Sequence, residues 1–274
     1  MKPLVLTLRQ IPGQRLDLSP LVPHRLAGKS AKEIEDIELQ TTRTRVTAGD
    51  AFRLRMGDAG HIRIENACDR LDRIGEGMQD GEIAVEGNVG TRAGRLMAGG
   101  RLTISGNAGP WAASGMRGGN IEITGNAGDR LGGPLAGETT GMRGGIVVVR
   151  GDAGDRAGDR MRRGTLLVEG HAGRYAGCRM IAGTLMVRRT AGALPGYLMR
   201  RGTIVLGSGS DALSPAFVDC GVHDLTALRL LANLIAPYST ALSSVIRRSR
   251  RRLAGDMAVL GKGEIFIPEN FMPS

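Results

Sequence analysis

Aromatic residues are nearly missing from this chain: one Trp, three Tyr and four Phe make up 3% of its 274 residues. The net charge of +10 points to an anionic partner. Without stacking aromatics, and with that charge spread along the chain, no nucleic-acid module is recognisable. Lysine is scarce too, with four residues (Lys2, Lys29, Lys32 and Lys262) among 37 basic ones. The three cysteines, Cys68, Cys178 and Cys220, are widely separated and form no CxxC pair. That excludes a disulfide framework and leads us to expect a reducing, cytoplasmic compartment. The longest apolar stretch, around Leu225 to Ile235, is too short and interrupted to span a bilayer, so no membrane association is expected. Met1 to Arg9 has no apolar core of the kind a secretory leader carries. There is no GxxxxGK[ST] phosphate loop, and His24, His61, His171 and His223 lack metal-ligand spacing, so neither a catalytic residue nor a metal ligand is assigned.

What the chain does have is glycine, 43 residues of it, and a repeat. Seven methionines stand at 78, 97, 116, 142, 161, 180 and 199, at intervals of 19 residues apart from one of 26. Three residues after each Met comes a Gly (Gly81, Gly100, Gly119, Gly145, Gly164, Gly183, Gly202), and five and seven after it come aliphatic residues such as Ile83 and Val85. Further glycines close the strand at nine and mark a corner at twelve, among them Gly128 and Gly154. The apolar alternation has a period of two, which is the strand signature. Glycines on either side are expected to supply positive φ at tight corners. The long interval holds a turn-rich insertion, Pro134 to Thr140. A strand this short cannot bury its face alone, so each repeat must stack on the next. The expected fold is all-β: a right-handed parallel β-helix of about seven to eight coils, spaced by about 4.8 Å, with short helical flanking segments.

Three segments follow. Residues 1–55 precede the repeats as an N-terminal cap segment, with Pro12, Pro20 and Pro23 in turns and a capping box from Ser30 to Glu33 opening a short helix. Residues 56–210 form the Gly-rich β-helix, with a degenerate first coil from Ala59 to Gly77. Residues 211–274 hold an amphipathic helix from Asp224 to Ile235, a second helix from Ser239 to Leu253 ending in a basic cluster, and a final strand, Gly263 to Ile267.

The Met-x-x-Gly-x-Ile-x-Val-x-Gly-Asn-Ala-Gly repeat resembles the glycine-rich β-helix domain shared by the glutamate synthase large subunit and the C subunit of formylmethanofuran dehydrogenase. The flanks resemble the second: Ala27 to Ile34 (AGKSAKEI), Gly49 to Phe52 (GDAF) and Gly255 to Ile265 (GDMAVLGKGEI). An arginine-rich, lysine-poor composition looks bacterial, and so the chain looks most like the methylotroph branch of that family, the C subunit of the formyltransferase/hydrolase complex. The resemblance implies a non-catalytic scaffold subunit in an assembly with an amidohydrolase-like subunit, a formyltransferase subunit and a molybdenum- or tungsten-enzyme-like subunit. It also implies formyl transfer from formyl-tetrahydromethanopterin to a methanofuran-like carrier and release of formate, in one-carbon metabolism. No cofactor is expected to be held tightly by this chain itself, while the carrier's polyglutamate tail is an anionic candidate partner. The alternatives are a free-standing glutamate-synthase-type subunit and a β-helix hydrolase or lyase. The last would show an acidic cluster on one coil face, and none is evident.

Stacking places equivalent positions of successive repeats in columns. One step after the Met the column reads Arg117, Arg143, Arg162, Ile181, Arg200, and the next position adds Arg163 and Arg201. Like charges so close repel unless solvated or paired with anions, which makes these six arginines the candidate site for the polyglutamate tail; a solvated edge of arginines is the plain alternative. Fourteen steps on, Arg92, Trp111, Arg130, Arg156, Tyr175 and Leu194 form a column read as mostly structural, with arginine stacking on Trp111 and Tyr175. His171 sits in line with Asn88, Asn107, Asn126 and Asp152, a corner hydrogen-bonding ladder. Six steps on, Ala84, Thr103 and Glu122 give way to Val148, Leu167, Met186 and Val205, an outward apolar stripe that the Asp224 to Ile235 helix or a partner subunit must cover.

Overall fold

A computed structural model describes residues 2–40, 44–248 and 250–271. The chain is mostly β, organised as one 13-stranded, largely parallel sheet. Its central strands are the repeats themselves: Glu82–Gly87, Arg101–Ile104, Asn120–Ile123, Arg143–Val149, Arg163–Val168, Thr184–Val187 and Arg201–Leu206. They pair in repeat register, Ile83 with Leu102, Leu102 with Ile121, Ile121 with Val147, Val147 with Leu166, Leu166 with Leu185 and Leu185 with Ile204. Hydrophobic alternation therefore places a continuous aliphatic column in the core, each member 1% exposed or less.

Neighbouring repeats meet along two further lines. Val89, Ala108, Ala127, Ala153, Ala172, Ala191 and Ser210 form successive parallel bridges. Beyond them, the amides of Ala113, Gly132, Gly158, Gly177 and Gly196 donate to the carbonyls of Ala93, Ala112, Leu131, Ala157 and Ala176 in the preceding layer, at 2.7–2.8 Å. The insertion leaves this pattern intact. The amide of Met142 donates to the carbonyl of Gly132 at 2.7 Å, so the chain is extruded and returns to the same place.

The sheet continues into both flanks. Pro3–Leu8 lies parallel to Asp58–Ala67, which is parallel to Glu82–Gly87, and Lys262–Pro268 stacks on Arg201–Leu206 at the other end. Three short helices, α1 (Pro23–Leu26), α2 (Ala31–Glu35) and α3 (Ala48–Ala51), lie in the N-terminal part. α2 opens with the expected capping box: Ser30 Oγ accepts from the Glu33 amide and Glu33 accepts from the Ser30 amide.

The apolar stripe is covered by the chain's own C-terminal helices, α4 (Thr226–Ile235) and α5 (Thr240–Ile246). Val148, Leu167, Met186 and Val205 join Leu228, Ala232, Ile235, Leu242, Ile246 and Phe266 in a second buried cluster. The cover begins where the stripe turns polar. There Arg150 bridges Glu122 (2.6 Å) and Glu169 (2.7 Å), and Ser239, the N-cap of α5, donates to Glu169 at 2.6 Å.

The expected second helix is shorter than its sequence suggests. It ends at Ile246, and Arg250–Gly255 is a strand antiparallel to Lys262–Pro268 and to Val218–His223. A cross-strand pair, Arg252 with Glu264 at 2.7 Å, and an Arg251–Asp219 pair fit the arginine run to an extended form. Arg250 is 4% exposed and donates to backbone carbonyls of Leu206, Gly207 and Val245.

Positive φ also falls elsewhere than expected. The glycines three after each Met are left-handed, with φ from 75° at Gly81 to 109° at Gly202, as the repeat implies. Gly128 and Gly154 are not. They are glycine because the preceding layer leaves no room: a Cβ would sit 2.8 Å from the amide nitrogens of Pro110 and Asp129 respectively. The left-handed corner residues are instead Arg92, Trp111, Arg130, Arg156, Tyr175 and Leu194. That conformation costs roughly 1–2 kcal/mol per non-Gly residue. It is offset by forward hydrogen bonds such as Arg130 amide to Asp155 carbonyl, 2.8 Å.

Crowding and φ can be separated experimentally. A Cβ on Gly145 (φ 84°) would lie 2.6 Å from Met116 Cε and 2.8 Å from Gly119 O, whereas Gly137 (φ 83°) has nothing within 4 Å. Gly145→Ala should lower the unfolding free energy by about 1–3 kcal/mol more than Gly137→Ala, read by urea denaturation. Equal losses would mean that layer spacing is not the constraint.

Candidate binding face

The arginine column lies where its spacing put it. The amides of Arg117, Arg143, Arg162, Ile181 and Arg200 each donate to the carbonyl of the Met one layer back (Met97, Met116, Met142, Met161 and Met180) at 2.7–2.8 Å. Strand register sets Arg163 beside Arg143, and Arg201 beside Lys262. All six arginine side chains are exposed. Arg143 Nε donates to Thr140 Oγ1 at 3.0 Å. None of the six forms an ion pair among the described residues, although ion pairs are plentiful elsewhere on the chain.

The His171 column is a ladder of side-chain carbonyls and backbone amides. Asn88, Asn107, Asn126 and Asp152 accept in turn from the amides of Asn107, Asn126, Asp152 and His171 at 2.7–2.8 Å. His171 Nδ1 then meets Thr190 Oγ1 at 2.6 Å. In the fourteen-step column, Arg156 lies over the Tyr175 ring, 5.6 Å from its centroid. No such contact occurs at Trp111 among the described residues.

A face that the sequence reading took as mostly structural, through Arg130, Arg156 and Tyr175, holds the most buried carboxylate among the described residues. Asp159 is fully buried and pairs with Arg179, with Arg130 at 3.8 Å. Burial disfavours the Arg179 cation, yet Asp159 outweighs it and raises its pKa. Cys178 beside them is 3% exposed. Burial first and the Asp159 carboxylate second push its thiol up to about 12. The insertion is tied to the same face. Glu138 accepts from Arg95 at 2.8 Å, and its carbonyl accepts from Arg160 at 3.0 Å. Burial pushes the Glu138 carboxyl up, but the Arg95 hydrogen bond and the Leu135 amide outweigh that and hold it below its ordinary value.

Two depressions on this face share Arg179 and Leu198. One, of about 310 Å³, includes Arg156, Tyr175, Cys178 and Tyr197. The other, of about 260 Å³, lies over Arg160 and Arg200 between Thr139 of the insertion and Val259 of a C-terminal loop. Ile181 and Arg200 connect this cleft to the column identified from sequence. Arg160 and Arg179, each directly before a repeat Met, were the available signal. Among the described residues no group of three or more His, Cys, Asp or Glu could hold a metal ion, and no helix is long and apolar enough to cross a membrane.

Stacked repeats in one largely parallel sheet, with a column of arginines that form no ion pair among the described residues, define a repeat-built β protein with a basic face. No protein-family model matches the chain. Over 92 residues it is 30% identical to the C subunit of tungsten-containing formylmethanofuran dehydrogenase 2 from Methanococcus maripaludis, covering 33% of this chain and 34% of that one. It is 51% identical to the C subunit of the formyltransferase/hydrolase complex Fhc from Methylorubrum extorquens over 263 residues, 96% of this chain and 98% of that protein. It also superposes with a TM-score of 0.91 on a chain of the crystal structure of the formyltransferase/hydrolase complex (FhcABCD) from Methylorubrum extorquens in complex with methylofuran. That superposition covers 96% of this chain and 99% of that one, with 43% identity. The chain belongs to the family of C subunits of the formyltransferase/hydrolase complex.

The thiolate is the reactive form of cysteine, and a thiol held near 12 stays protonated across the neutral range. Cys178 should therefore resist iodoacetamide at pH 8 in the native chain and react once urea unfolds it. Peptide mass spectrometry reads the modification, and rapid native labelling would contradict the buried environment.

Proposed function

We propose that this chain is the non-catalytic scaffold subunit of a formyltransferase/hydrolase complex. One observation carries the reading: likeness to the Fhc relative at 51% identity extends over 96% of the chain, flanks included. In this role the chain works in the cytoplasm beside an amidohydrolase-like subunit, a formyltransferase subunit and a molybdenum- or tungsten-enzyme-like subunit. The assembly moves a formyl group from formyl-tetrahydromethanopterin to a methanofuran-like carrier and releases formate. Residues 56–210 form a right-handed parallel β-helix, a reading supported by the three lines of contact between successive repeats. Residues 1–55 cap one end, and 211–274 supply the covering helices and the last strand.

The carrier's polyglutamate tail is assigned to Arg117, Arg143, Arg162, Arg163, Arg200 and Arg201. All are exposed, and each contact is worth about 1 kcal/mol or less in water. Binding is then the sum of many weak contacts, sensitive to salt and tolerant of any one substitution.

Native mass spectrometry of the purified assembly tests the role, with three other kinds of subunit expected in one particle. Recovery of the chain alone, or with flavin and iron–sulfur partners, would contradict it. Reversing several of the six arginines to Glu should raise KM for the polyglutamylated carrier and leave a carrier lacking glutamates little changed. An equal response to both carriers would make the column a contact between subunits or a solvated edge.

His171→Ala should leave formyl transfer by the reconstituted complex near normal, since its ring meets Thr190 in the corner ladder. A loss of several orders of magnitude in kcat with assembly intact would place a catalytic group on this chain.

A further inference from the structure

The cleft between the 134–140 insertion and the 256–261 loop combines two features that a solvated edge does not need. The first is charge. Arg179 is neutralised by Asp159, whereas the Arg160 guanidinium donates to the Glu138 carbonyl and Arg200 is exposed, and neither forms an ion pair among the described residues. The second is apolar exposure, at Val259 in its lining and nearby along the chain. Tyr197, Met257, Val259 and Leu260 are 41%, 50%, 43% and 46% exposed. The loop that carries three of them is held in place by Asp256, itself 1% exposed, whose carboxylate accepts from the amides of Leu198 and Ala258 at 2.8 Å. Val259 of this anchored loop lines the cleft with Ile181 and Leu198 beside Arg160 and Arg200, the make-up of an interface: an apolar centre with arginine enriched.

We propose that this cleft docks an acidic peptide segment of another protein in the assembly. Its carboxylates meet Arg160 and Arg200, and an apolar side chain rests on Leu198 and Val259. The proposal rests on the reading of the chain as part of a complex. Charge selects the occupant: a second copy would bring another +10 to the same surface. A nucleic-acid backbone fits the arginines but leaves Leu198 and Val259 against hydrated phosphate. A small anion would fill the depression and leave those lips uncovered.

The test uses the whole complex with Val259→Glu and Val259→Lys. Val259 is exposed, so neither change removes a core contact, and equal thermal unfolding of the two isolated variants checks this. Glu should weaken retention of one partner subunit at least tenfold, while Lys keeps it at or above the wild-type value. Equal losses with both signs would overturn the acidic chemistry, and no loss with either would overturn the docking. A photoreactive benzoylphenylalanine at Leu260 should crosslink to an Asp- or Glu-bearing segment of a partner subunit. A crosslink only to a second copy, only to the carrier, or to nothing would overturn the proposal. A wild-type chain that recovers no partner removes the reading as part of a complex and this proposal with it. A wild-type complex indifferent to Val259 removes this proposal alone.

Discussion

The methyl end of each repeat methionine sits where the next layer's glycine has no side chain, and most of the architecture follows from that contact. Met78, Met97, Met116, Met142, Met161, Met180 and Met199 are fully buried. A Cβ on Gly100, Gly119, Gly145, Gly164, Gly183, Gly202 or Gly263 would lie 2.6–2.8 Å from the Cε of the Met one layer earlier. Layers joined by backbone hydrogen bonds cannot move apart to admit a side chain, because their separation is set at about 4.8 Å by the bonds themselves. Methionine suits the site because its unbranched, polarisable chain fills an irregular gap. Glycine suits the partner position twice over, by its left-handed φ and by its missing Cβ.

That constraint explains what the sequence makes legible. Apolar alternation and layer stacking act on the same residues, so the columns through Ile83 and through Val148 could be read directly and were found in register. The stripe's need for a cover was equally readable, since four apolar side chains on an outward face leave few options. The corners were not readable. A left-handed Arg92 or Tyr175 looks ordinary in a sequence, because what holds it is an amide bonded to a carbonyl in the next layer. The strand Arg250–Gly255 was hidden in a similar way. An arginine run after a helix looks like a helix end until Glu264 and the carbonyls of Leu206, Gly207 and Val245 are brought beside it.

The Arg160–Arg200 cleft was the least legible feature, because three distant parts of the chain assemble it: the insertion, the repeat corners and the 256–261 loop. The insertion's part is specific. Its Glu138 links Arg95 to Arg160 across layers, so a segment that breaks the repeat in sequence braces it in space. Asp159 does the same from inside, a buried carboxylate that would be costly without Arg179 and Arg130. The face thus carries its charge in two forms, one neutralised within the fold and one left over.

Those two forms suit different kinds of recognition. Six exposed arginines on rigid layers present charge at a spacing set by the backbone, and each loses little solvation on meeting an anion. Exposed contacts of this kind are individually weak, so no single one dominates. In the cleft Arg160 and Arg200 share a lining with Leu198 and Val259, so charge there stands beside apolar surface. Arg200 lies in both, so the row of exposed charge runs up to the edge of the cleft.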